Sequence, residues 1–156
     1  MRTIFTIACL LLLLISCKQS ESTENKDANT QETLKKKTLE GTWELIGYYN
    51  YSENKVQDSF EVLDGLRQIK MFTSSRVMWS KSLPKDSTEW FGYGHYNSTD
   101  TTLTEELEYS SKAMKKILED KKIFHFELQL EENNYMQIEL DEDGNRIYSE
   151  NYKRVE

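Results

Sequence analysis

Three observations predict an all-β fold of about eight short antiparallel strands with one short helix. Apolar and polar residues alternate with a period of two in several stretches between positions 39 and 156. Turn-forming runs such as Glu132-Asn133-Asn134 and Asp141-Glu142-Asp143-Gly144-Asn145 separate those stretches at hairpin spacing. A single stretch, 110–121, repeats every three to four residues instead. Nine tyrosines and one proline suit strands joined by turns. Evenly spaced strands of this kind build a sandwich or an up-and-down barrel, and closure into a barrel removes exposed edges.

The elements follow from the N-terminus. Residues 1–17 read as an export leader, with Arg2 as the positive start and Ile4 to Ile15 as an apolar core interrupted by Thr6. That core is shorter than the ~20 apolar residues a spanning helix needs. It ends in Leu14-Ile15-Ser16-Cys17, which resembles the bacterial lipobox. The resemblance implies cleavage before Cys17 and lipid on that residue, so the protein is expected to sit on a membrane surface without crossing it. Cys9 would leave with the leader, and no thiol would remain for a disulfide, a thiolate zinc site or a cysteine nucleophile. Residues 18–38 are polar and charged with almost nothing apolar, the composition of a flexible tether. Residues 39–156 form the domain.

The domain opens on Leu39-Glu40-Gly41-Thr42-Trp43-Glu44-Leu45-Ile46-Gly47-Tyr48-Tyr49-Asn50-Tyr51. Alternation puts Trp43, Leu45, Gly47, Tyr49 and Tyr51 on its inner face, with Tyr48 opposite. Residues 52–65 are polar and read as a connecting loop. A hairpin follows, 66–74 and 76–82, with Gln68, Lys70 and Phe72 on one face and Val77, Trp79 and Lys81 on the matching one. Pro84 ends the pair. In the next strand, 89–97, Gly92 and Gly94 share a face and mark a bend or a close backbone approach. Residues 101–109 place Leu103, Glu105, Leu107 and Tyr109 together. Ser110 or Ser111 is positioned to cap a helix whose apolar stripe is Ala113, Met114, Ile117 and Leu118. The last three strands put Phe124, Phe126, Leu128 and Leu130 inward, then Met136, Ile138 and Leu140, then Tyr148, Tyr152 and Arg154.

With Gly41-Thr42-Trp43 at one end and Tyr152-Lys153-Arg154 at the other, residues 39–156 resemble the lipocalin (calycin) β-barrels. The spaced motifs between them look like those of small lipocalin-like envelope lipoproteins of Gram-negative bacteria. The resemblance implies an up-and-down antiparallel barrel, with Trp43 at the closed end and Arg154 packed across it, Gly41 being structural too. It implies an address in the cell envelope, the outer membrane favoured. It also implies a small, partly apolar ligand in the barrel, lined at the wide end by Lys70, Phe72, Trp79, Tyr96, Glu105 and Tyr109. Aromatics with a few polar groups are the usual chemistry of such a site. A buried Glu105 among Leu103, Leu107 and Tyr109 would need a partner; the alternative has the aromatics as core filler, with Lys70 and Glu105 pairing with each other or reaching solvent.

The remaining function classes are argued against by residue type. A net charge of −7 opposes nucleic-acid binding, which needs a basic stripe. His95 and His125 are the only histidines, too few to expect a metal or haem site. No Gly-x-Ser-x-Gly elbow, phosphate loop or dinucleotide fingerprint occurs, so neither catalysis nor a cofactor is expected. Asp141 to Gly144 lacks the spaced ligands of a calcium loop and is better read as a turn. The alternative to ligand binding is a packed barrel serving as an interaction or structural module. That reading expects an outer apolar patch from Tyr48, Phe91, Tyr93, Met114 and Ile117.

Overall fold

The computed structural model describes residues 37–83 and 86–156. The leader with Cys17, tether residues 18–36 and Pro84 lie outside the described residues. In chain order the elements are β1 (Gly41–Ser52), β2 (Lys55–Glu61), β3 (Arg67–Phe72), β4 (Arg76–Leu83), β5 (Asp86–Ser98), β6 (Thr102–Ser110), α1 (Lys112–Asp120), β7 (Ile123–Leu130), β8 (Asn134–Leu140) and β9 (Arg146–Arg154). All neighbouring strands pair antiparallel, and β1 also pairs with β9. The sheet therefore closes on itself.

The ring holds eight strands, because β1 serves two partners on one side. Its first residues, Gly41 to Glu44, pair with β3, and Gly47 to Ser52 pair with β2. β2 is thus a ninth strand attached to the barrel through β1 alone. The sequence pattern suggested a loop there, and the correction has a clear cause. All seven β2 residues are exposed, so neither face imposes an apolar alternation. Backbone pairing holds the strand, helped by a two-residue turn in which Glu53 and Asn54 both take positive φ, at 51° and 61°.

Bulges change the facing in β1 and β6, and β8 presents the opposite face from the one expected. Opposite β9, the register of β1 slips between Leu45 and Gly47, leaving Ile46 unpaired and half-exposed. Trp43 and Leu45 face inward as expected, but beyond the slip the inward residue is Tyr48, whose ring stacks on Tyr148 at 5.5 Å. Tyr51 now points outward, its hydroxyl 3.5 Å from Ser149 Oγ. In β6 a second slip pairs Tyr109 with Tyr93 and Leu107 with Gly94. Leu103, Glu105 and Leu107 stay inside, while Tyr109 is turned out. In β8 the inner face is Tyr135, Gln137 and Glu139 rather than Met136, Ile138 and Leu140. Ile138 is buried nonetheless, paired on the outer face with Ser149.

Two apolar clusters fill the interior. Leu39, Trp43, Leu45, Phe72, Val77, Leu103, Leu128, Tyr135 and Tyr152 plug one end. Each large side chain so buried contributes roughly 1.5–3 kcal/mol. Arg154 seals this plug, its guanidinium carbon 3.9 Å from the Trp43 ring centroid. It also donates to the carbonyls of Glu132, Glu40 and Thr38 at 2.8, 2.7 and 2.8 Å. The Trp–Arg arrangement expected from the two ends of the domain is present. At the other end Leu107, Met114 and Leu118 pack α1 onto the barrel beside Trp79, Trp90 and Phe124. Ser111 caps the helix, accepting from the Met114 amide at 3.3 Å.

Candidate functional site

Between the plug and α1 lies a cavity of about 550 Å³. It reaches the surface beside Ile117, Lys121 and Glu139, which are exposed. Trp79, Trp90, Leu107, Met114 and Phe124 form an apolar wall. Gly92 makes room for this wall: a Cβ there would meet the Trp79 indole at 2.8 Å. Trp79 therefore lies across the strand backbone and faces the lumen. Gly94, one turn of the pleat deeper, lets β5 approach β6 so closely that a Cβ would overlap the Glu106 carbonyl oxygen.

The floor is polar. Lys70 and Glu105 form an ion pair at 2.6 Å, with side chains only 3% and 4% exposed. Lys70 Nζ also donates to Gln137 Oε1 at 2.6 Å, and lies within 6 Å of the Phe72, Phe126 and Tyr152 ring centroids. Gln137 Nε2 donates in turn to Glu150 at 3.0 Å. Glu150 further accepts from the Tyr152 hydroxyl at 2.5 Å and from Gln68 Nε2 at 3.2 Å. One network thus runs from β6 through β3 and β8 to β9. Burial raises the Glu105 pKa above the ordinary carboxylate value, and the adjacent Lys70 partly offsets this. Burial, reinforced by nearby Glu150, lifts Tyr48 to about 12 and also raises Tyr148 and Tyr152, so all three stay neutral donors.

Of the residues assigned to the site from sequence, the structure brings Lys70, Trp79 and Glu105 together in this cavity. Phe72 belongs to the plug, in edge contact with Tyr96 at 4.9 Å. Tyr96 lies at that same closed end, its hydroxyl donating to the Thr73 carbonyl at 2.7 Å. Tyr109 is 61% exposed and packs on Phe91 outside the barrel, because the β6 bulge reverses its facing. Sequence reasoning missed Trp90, Gln137 and Glu150. The alternation of Tyr148 with Tyr152 already carried Glu150 inward. Gln137 faces the lumen although Met136 and Ile138 look like the core pair in the sequence. Tyr48, expected outside, lines the interior with Tyr148.

His95 is not among the cavity residues and pairs with Glu108 at 2.6 Å, whereas His125 is part of the cavity lining, its Nδ1 3.0 Å from Thr104 Oγ1. Among the described residues no group of three or more His, Cys, Asp or Glu side chains is arranged to hold a metal ion.

Residues 38–156 match the family described as a domain of unknown function, DUF4488. No curated protein matches the chain. Among solved structures, a lipocalin-like protein from Bacteroides uniformis is similar, with a TM-score of 0.53 and 16% identity over 75% of this chain and 98% of that one. An uncharacterized protein from Bacteroides eggerthii is similar with a TM-score of 0.50 and 16% identity over 76% of this chain and 100% of that one. At such identity the likeness concerns the fold: this is a lipocalin-like barrel.

Proposed function

We propose, for a chain that belongs to the DUF4488 family and folds as a lipocalin-like barrel, a non-enzymatic role: binding a small, partly apolar molecule in the lumen. The observation that carries this reading is the cavity of about 550 Å³, walled by Trp79, Trp90 and Phe124 over a hydrogen-bonded floor. Its size lies in the range of small-molecule sites. An open, aromatic-walled lumen is the opposite of what a packed interaction module requires, and Tyr48 is withdrawn from the outer patch that such a module would use.

The leader and lipobox-like sequence at Cys17 support a second part of the reading, a lipid-anchored protein of the cell envelope with the barrel tethered near the membrane. Both parts are testable separately. Native purification of the full chain, followed by denaturing extraction and mass spectrometry, is expected to release a stoichiometric apolar compound. Trp79→Ala, in a protein that still melts cooperatively, is expected to lose it. Blank extracts from several hosts, with no thermal shift against a panel of apolar ligands, would remove the binding role. Labelled fatty acid is expected to enter the chain in a bacterial host and to be lost in Cys17→Ala; equal labelling of the two would remove the anchor.

A further inference from the structure

The cavity floor is lopsided in charge and in hydrogen-bonding capacity. Its single buried cation, Lys70, is already committed to Glu105 and Gln137, both at 2.6 Å. Among the described residues Glu150 has no cationic partner; it is met by the neutral donors Gln68, Gln137 and Tyr152. Two carboxylates against one ammonium leave the floor with a surplus negative charge. Gln68 adds a second asymmetry. It lines the cavity and is 5% exposed, yet its Oε1 has no donor among the described residues, while its Nε2 is used up on Tyr152 and Glu150. A buried acceptor without a donor is destabilising, a penalty removed by any ligand that donates to it.

We propose that the floor selects the polar end of the ligand for hydrogen-bond donation and positive charge: an amine-headed amphiphile, its head at Gln68 and Glu150 and its apolar tail along Trp79 and Phe124. This deepens the binding role above and rests on it. A carboxylate head is disfavoured at the floor twice over. It would face Glu150 and Glu105 in a medium of low dielectric, and it has no proton for Gln68 Oε1. An alcohol head satisfies Gln68 and leaves the charge unanswered, so it ranks between the two. The cations that remain on the wall, Lys81 and Lys121, are not part of this network; Lys121 sits at the surface over the Phe124 ring.

Decylamine, decanol and decanoate share one tail and differ only at the head, so their affinities for the full chain separate the two claims. Titration calorimetry at mildly alkaline pH is expected to rank decylamine over decanol over decanoate, the extremes at least about tenfold apart. Glu150→Gln keeps the shape of the network and is expected to abolish the amine's advantage over the alcohol. Gln68→Leu, which deletes the free acceptor, is expected to weaken amine and alcohol together. Decanoate binding as tightly as decylamine, or an unchanged ranking in both variants, overturns the head-group assignment and leaves the apolar binding role standing. Failure of all three probes to bind overturns both.

Discussion

Lys70 and Glu105 are the residues on which the interior turns. A fully buried ion pair is costly to desolvate and is often matched by an apolar pair of similar volume. Removing one partner is different, because it strands a charge. Lys70→Met is therefore expected to destabilise the protein by about 3–5 kcal/mol, and Lys70→Met with Glu105→Leu by clearly less. Urea unfolding of the wild type and both variants checks this; equal losses would mean that the pair is not coupled. The pH dependence has a definite sign. The folded-state pKa of Glu105 is raised by burial, so between the unfolded and folded values the folded protein holds more protons. Its contribution to stability then falls as pH rises across that window. Glu127, hydrogen-bonded by Arg146, is lowered and acts in the other direction, losing stability as pH falls through its folded value. Melting temperature against pH in wild type and Glu105→Gln is expected to show a shallower decline above the ordinary carboxylate range in the variant.

At the scale of elements, most strands were legible because one face of each is dry. β3 and β4 show this: Gln68, Lys70 and Phe72 pair in register with Lys81, Trp79 and Val77, as alternation alone placed them. The α1 stripe and its Ser111 cap were legible for the same reason at helical spacing. β2 was not, since a strand wet on both faces leaves no pattern. The bulges at Ile46 and in β6 were equally invisible. A bulge inserts one residue without changing composition, and every facing beyond it reverses. Gly94 was readable as a bend or a close backbone approach, and the structure shows the close approach, of β5 to β6. Gly94→Ala is expected to cost at least about 3 kcal/mol, because the Cβ would strike the Glu106 carbonyl and the backbone cannot move aside. Thermal unfolding tests it; a loss comparable to a surface substitution would show that β5 and β6 can part without penalty.

For the whole molecule, closure is the decisive event. β1 and β9 come from opposite ends of the domain and pair from Trp43–Arg154 to Asn50–Tyr148. Arg154 then clamps the N-terminal segment and the β7–β8 turn through three carbonyls while covering Trp43. A lysine keeps the charge but offers neither the planar fork nor the stacking face. Arg154→Lys is expected to destabilise by about 1–3 kcal/mol and to redshift the emission of Trp43 as its ring meets water. An unchanged emission spectrum and unfolding midpoint would show that the plug closes without the clamp.

By itself the sequence determined the class of fold, the number of strands in the ring, the closed end with its tryptophan and arginine, the capped helix, and three of the residues in the cavity. These are local or periodic properties, written wherever a face is consistently buried. The tertiary structure alone decided which residues meet in the lumen. The network of Gln68, Lys70, Gln137 and Glu150 joins β3 to residues 67 to 82 positions away, a pairing that alternation within any one strand cannot register. Closure brings these side chains together, and closure is a property of the ring rather than of any strand.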